Sequence, residues 1–202
     1  VQARGPTGSS AGRHLLAVFA LRLWLGLLGV PWLATRLKGN GLVADLGLRI
    51  RRRDLWVGGV TGVVLQVVAI PLLYWPLLDL LGKDPSELEG PARELTDRAD
   101  GALGVALLVI IVGIGAPVIE EIFYRGLFQG AMRKRGLGPV VSILVVATLF
   151  GLSHGEMLQL PALVLFGATA GWLAHHYGRL GPAIAAHVSF NMVTVIALSV
   201  GG

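Results

Sequence analysis

The 202-residue chain contains no cysteine, which excludes disulfides and thiolate metal sites together. Charge is scarce: Asp, Glu, Lys and Arg make up 14% of it, against roughly 25% in soluble domains. There is no His-Glu-x-x-His helix, the pattern that would place a zinc protease on one face. There is no internal repeat of the kind two-halved transporters show. What fills the chain instead is apolar, with 54% hydrophobic residues and a mean hydropathy of +0.71, and this implies a membrane protein. The net charge of +5 would suit nucleic acid, but the basic residues fall in short clusters between apolar runs. The positive-inside rule demands that arrangement, and no aromatic-basic stripe accompanies it, so nucleic acid is not expected as a partner.

In chain order, 1–13 is polar and Gly/Ser-rich and reads as a disordered segment. An apolar run from His14 to Thr35 follows, with Arg22 as its one charge. It has no Ala-x-Ala cleavage site and reads as an anchored helix rather than a signal peptide. Arg36 to Asp54 reads as a basic cytoplasmic loop, and Leu55 to Leu81 as a second span that Pro71 and Pro76 kink or end. Lys83 to Asp100 is acidic and reads as a solvated loop on the opposite side. Four further spans are predicted over Leu103–Phe128, Val140–Ser153, Leu158–His175 and Pro182–Val200. The expected fold is therefore all-α, a polytopic bundle of about six transmembrane helices. Residues 14–100 would supply two N-terminal spans, and 101–202 a bundle whose last four helices enclose a cavity. Gly167-x-x-x-Gly171 marks a small-residue face for helix contact.

The chemistry is concentrated in these four spans. Glu120, Glu121 and Arg125 stand within six residues inside an apolar helix, and ionisable groups at bilayer depth are functional by default. Adjacent helical residues point about 100° apart, whereas Glu121 and Arg125, four apart with the acid first, share a face. Glu121 is thus expected to pair with Arg125, leaving Glu120 to look into the bundle as general base or acid. Pro117 loosens the helix just before them. His154 ends the fourth span, after Phe150, and is placed to share a water with Glu120. His187 and Asn191, four apart on the last span, offer donors for a developing oxyanion. Each group also has a plain structural reading: a packed histidine, a Glu–Arg pair that glues helices, an asparagine that locks two of them. Their co-occurrence on three helices of one bundle favours chemistry. His175 and His176 read as interfacial.

The pattern Glu120-Glu121-x-x-x-Arg125, then Phe150-x-x-x-His154, then His187-x-x-x-Asn191 resembles the CPBP (Abi) family, which contains CAAX prenyl endopeptidases and bacterial proteins of bacteriocin processing and immunity. The resemblance covers roughly residues 103 to 200 and includes the Ala-Pro run before the glutamates and Arg125-Gly126-Leu127. It implies an intramembrane glutamate protease. In that family's pattern Glu120 and His154 activate the water, His187 and Asn191 hold the oxyanion, and Glu121 and Arg125 support the site. The implied partners are membrane lipid and a membrane-associated peptide or protein, and the implied location is a bacterial plasma membrane. No cofactor is expected. Zinc held by His154, His187 and a Glu is the less favoured alternative, and a non-enzymatic immunity or scaffold protein is the other.

Depth sets one more expectation. At 1.5 Å per residue Glu120 lies roughly 20 Å along its helix from Arg133. For it to meet His187, Gly126 to Arg135 should project beyond the hydrocarbon, leaving a water-filled cavity open at the basic, cytoplasmic side.

Overall fold

The structure is a computed structural model that describes residues 24–97, 99 and 101–200, except the side chains of Leu95, Asp97 and Val200. The expected disordered segment 1–13, Arg22 and the start of the first span lie outside the described residues. Among the described residues eight helices follow one another: α1 over 24–38, α2 Leu42–Leu46, α3 Arg52–Leu81, α4 Ser86–Asp97, α5 Gly101–Lys134, α6 Pro139–Ser153, α7 Leu160–Tyr177 and α8 Gly181–Val200. No strand occurs among the described residues. The chain is an all-α membrane helix bundle.

Among the described residues, three helices are long and apolar enough to cross a bilayer: α3, α5 and all but the last residue of α8. Helix α6 is apolar but has 15 residues, about 22 Å against a hydrocarbon core of about 30 Å. Helix α7 ends in His175-His176-Tyr177, which dilutes its apolar run. On α3 the exposed Trp56 and Trp75 are nineteen positions apart, about 28 Å, the separation that interfacial aromatic belts adopt.

Two expected loops are partly helical. The acidic segment after α3 forms α4, which runs through Pro91. Glu87 and Glu89 fall in its first turn, where the helix dipole favours them. The pairs Lys83–Glu87 and Glu89–Arg93 are each four apart. Acidic composition and a proline suggested a loop, but this charge spacing supports a helix. The basic segment contains α2, and α3 begins at Arg52, three residues earlier than expected, with Asp54 capping the Arg51 amide at 2.9 Å.

Neither Pro71 nor Pro117 ends its helix. Both follow π-helical turns, Leu65–Ala69 in α3 and Val109–Gly115 in α5, by two residues. The wide turn absorbs the donor that proline lacks, and α3 continues through Pro76 to Leu81 without breaking.

Close helix crossings set the register of the bundle. Helices α3 and α8 run parallel. A Cβ at Gly58 would strike the backbone of Pro182 and Ala186, and one at Gly62 would strike Ala186 and Ser189. Further along, the Gln66 amide donates to Thr194 Oγ1 at 3.0 Å. At the shared start, Asp54 binds Arg179 through both carboxylate oxygens, and Gly47 O and Arg49 O accept from Leu180 and Gly181. Helix α5 runs antiparallel to α8, with Gly126 against Leu180 and Gly113 against Met192. Helix α7 packs on α6 where Gly167 meets Ala147 and Gly171 meets Ile143.

Helix α5 has 34 residues, about 51 Å, so roughly 20 Å of it exceeds the hydrocarbon. Because Gly126 is level with the start of α8, the stretch towards Arg135 continues past that helix end.

Candidate active site

The centre of the bundle is an ion pair set in aromatic rings. Glu121 and Arg125 lie one turn apart on α5, with Arg125 Nη1 donating to Glu121 Oε1 at 2.8 Å and both side chains wholly buried. Arg125 Nη2 donates to Gly167 O at 3.1 Å, and its guanidinium carbon sits 4.6 Å from the Phe150 ring centroid. A Cβ at Gly167 would crowd the Ala147 backbone of α6 at 3.0 Å, so glycine there lets α7 lie close against α6. One turn later the arrangement repeats: Gln129 Nε2 donates to Gly171 O at 2.9 Å. The small-residue face of α7 thus serves two side-chain donors of α5, spaced four apart like the glycines themselves. Sequence reading missed Gln129; its four-residue offset from Arg125, equal to that of Gly167 and Gly171, was the available signal.

Helix α8 brings His187 to the same carboxylate. His187 Nδ1 lies 2.8 Å from Glu121 Oε1. A carboxylate only accepts, so Nδ1 carries the proton and Nε2 is turned the other way. Glu120 Oε2 stands 3.8 Å from that Nε2. The expected division between the two glutamates is present: Glu121 is locked between Arg125 and His187, whereas the Glu120 side chain is 14% exposed and faces the cavity.

His154 closes α6. Its Nδ1 lies 2.8 Å from Phe150 O, one turn back, and its ring meets the Phe150 ring at 4.7 Å. A carbonyl also only accepts, so Nδ1–H is spent there and Nε2 remains for the cavity. Tyr124 donates to Ser153 Oγ at 2.8 Å, and Ser153 in turn donates to Phe150 O at 2.7 Å, tying this helix end to α5. Asn191 Nδ2 donates to Val112 O at 2.9 Å, linking α8 to the π-helical turn of α5.

Glu120, His154, His187 and Asn191 all line one cavity of about 250 Å³. The structure therefore brings together the four residues singled out as catalytic, with Glu121 and Arg125 buried behind them. The cavity does not extend as expected. From Glu120 its lining runs along α5 to Leu108 and along α8 to Leu198, and Ala92 and Thr96 of α4 complete it. That direction leads away from Arg133–Arg135, so the cavity among the described residues is not one that opens at the basic end. The acidic segment contributes through α4, whose Leu88 carbonyl accepts from Gln159 Nε2 at 2.8 Å. Among the described residues no group of three His, Asp or Glu side chains is placed to hold a metal.

Residues 102–193 match the family model described as "Type II CAAX prenyl endopeptidase Rce1-like". All six site residues fall inside that segment. Over 92 residues the chain is 28% identical to a protein of Bacillus subtilis (strain 168) named "Putative membrane peptidase YdiL". The match spans 46% of this chain and 37% of that relative's length. No solved structure matches the chain.

Proposed function

We propose that this chain, whose segment 102–193 belongs with the CPBP membrane peptidases, is an intramembrane endopeptidase that uses Glu120 and no metal to hydrolyse a peptide bond of a membrane-associated substrate. The observation that carries the proposal is the split between the two adjacent glutamates. Glu121 is wholly buried, and its Oε1 accepts from both Arg125 and His187. Glu120, beside the His187 ring and facing the cavity, is the carboxylate that can exchange a proton with water.

In this reading a water held between Glu120 and His154 Nε2 attacks the scissile carbonyl carbon. Glu120 takes the water's proton as the C–O bond forms. The carbonyl oxygen gains the negative charge and accepts from His187 Nε2–H and from the second Nδ2–H of Asn191. Collapse of the tetrahedral intermediate breaks the C–N bond, and Glu120 returns the proton to the leaving amine. His187 must then carry protons on both nitrogens, one for Glu121 and one for the oxyanion. With His187 so charged and both glutamates ionised, Glu120, Glu121, Arg125 and His187 sum to zero net charge in a largely apolar cavity.

The test is cleavage of a quenched fluorescent peptide library by purified protein in detergent. Wild type is compared with Glu120→Gln and His154→Ala, each with and without a strong chelator. Loss of cleavage in both variants, with the wild-type rate unchanged by chelation, is the expected result. A wild-type rate abolished by chelator and restored by zinc would refute the metal-free mechanism.

A further inference from the structure

Asn191 is held in place by a carbonyl that should have been occupied. In the π-helical turn of α5 each amide bonds five residues back, and the Ala116 amide accordingly donates to Ile111 O. The next amide in that register would serve Val112 O, but residue 117 is proline and has no N–H. The Val112 carbonyl is therefore left open inside the bundle, and an unpaired buried carbonyl is costly. Asn191 Nδ2 occupies it at 2.9 Å. The acceptor fixes the orientation of the carboxamide, since a carbonyl cannot face Oδ1. Gly113, with no side chain between the helices, lets Met192 and its helix approach closely enough for this bond.

We infer that Pro117 is a positioning residue for Asn191: by removing one backbone donor it keeps the Val112 carbonyl free to anchor the Asn191 amide, leaving its second N–H for the cavity. This rests on the reading of Asn191 as an oxyanion donor, but the anchoring itself is testable apart from it. Pro117 is buried and touches no reacting group in this account. Its effect is exerted through the side chain opposite.

The experiment uses Pro117→Ala and Pro117→Val, both of which restore the amide. The restored N–H should bond Val112 O and displace Asn191, so both variants should melt at or above the wild-type temperature. A lower melting temperature in both would overturn the inference, because it would show that no acceptor was waiting. Asn40 and Asn191 are the two asparagines of the chain, so asparagine-selective 15N labelling yields two side-chain amide signals, and Asn191→Ala identifies one by its disappearance. That signal should move to the position of a free amide in the Pro117 variants; a signal that stays in place would overturn the anchoring. With the best-cleaved peptide of the fluorescent library as probe, Pro117→Ala should lower kcat about 10-fold at unchanged KM, against about 100-fold for Asn191→Ala. The double variant should match Asn191→Ala alone. Additive losses would mean that Pro117 acts independently of Asn191 and would overturn the positioning role. Wild-type cleavage by Asn191→Ala would instead refute the oxyanion reading, with the amide signal still deciding the anchor.

Discussion

Replacing Arg125 by Met isolates what the central ion pair contributes. Methionine keeps the length and apolar bulk of the side chain beside Phe150 but removes three interactions: the 2.8 Å bond to Glu121, the 3.1 Å bond to Gly167 O and the cation–π contact. Glu121, wholly buried, would keep only His187 as a partner. Leaving one member of a buried pair unmatched costs about 3–5 kcal/mol. Glu121→Gln in the same chain removes that stranded charge, while the amide can still accept from His187. The double variant Glu121→Gln/Arg125→Met is thus expected to be about 2 kcal/mol more stable than Arg125→Met alone, since contacting pairs couple by about 0.5–3 kcal/mol. Reversible denaturation in mixed micelles, following all four forms, measures this as a double-mutant cycle. A coupling energy indistinguishable from zero would refute the argument that Arg125 is needed chiefly to match Glu121. The remaining loss in the double variant would then be assigned to the Gly167 carbonyl and the Phe150 ring.

Other sites give independent expectations. Gln129→Leu removes a buried bond to Gly171 O and should cost about 1 kcal/mol in the same denaturation assay, without the proton-transfer defect of Glu120→Gln. Gly62→Leu forces a side chain into the backbone of Ala186 and should cost about 1–3 kcal/mol or prevent folding, whereas Gly59→Ala, where an added Cβ meets nothing within 4 Å, should be tolerated in the same measurement. Tyr74→Phe removes a bond to Leu158 O from a side chain only 2% exposed, a loss of about 1 kcal/mol that should raise hydrogen exchange selectively around residues 155–162.

The helices of the second half were legible because their signals are local. Apolar runs bounded by glycine, proline and basic clusters placed α6, α7 and α8 within two residues of where they stand. The Glu121–Arg125 pair followed from a four-residue offset, and the facing of Glu120 followed from the 100° step. What could not be read was non-local or carried by irregular turns. Helix α4 was hidden by its acidic composition. Its Ala92 and Thr96 matter only because α5 and α8 leave a cavity for them to close. Asn191 stands on the expected face, yet its partner is a carbonyl made available by a π-helical turn and a proline on another helix, which no spacing within α8 could reveal. The direction of the cavity was misjudged for a related reason. Depth along α5 did not show that α6 and α7 pack beside its Arg125–Gln129 turn through Gly167 and Gly171.

The central claim, that Glu120 performs proton transfer and not helix packing, is tested most directly by measuring cleavage rate and melting temperature together for Glu120→Gln. The substitution preserves shape and hydrogen bonding while removing the base. The account predicts cleavage reduced at least about 1,000-fold with a melting temperature equal to that of wild type. Undiminished cleavage by a normally folded Glu120→Gln protein would contradict it.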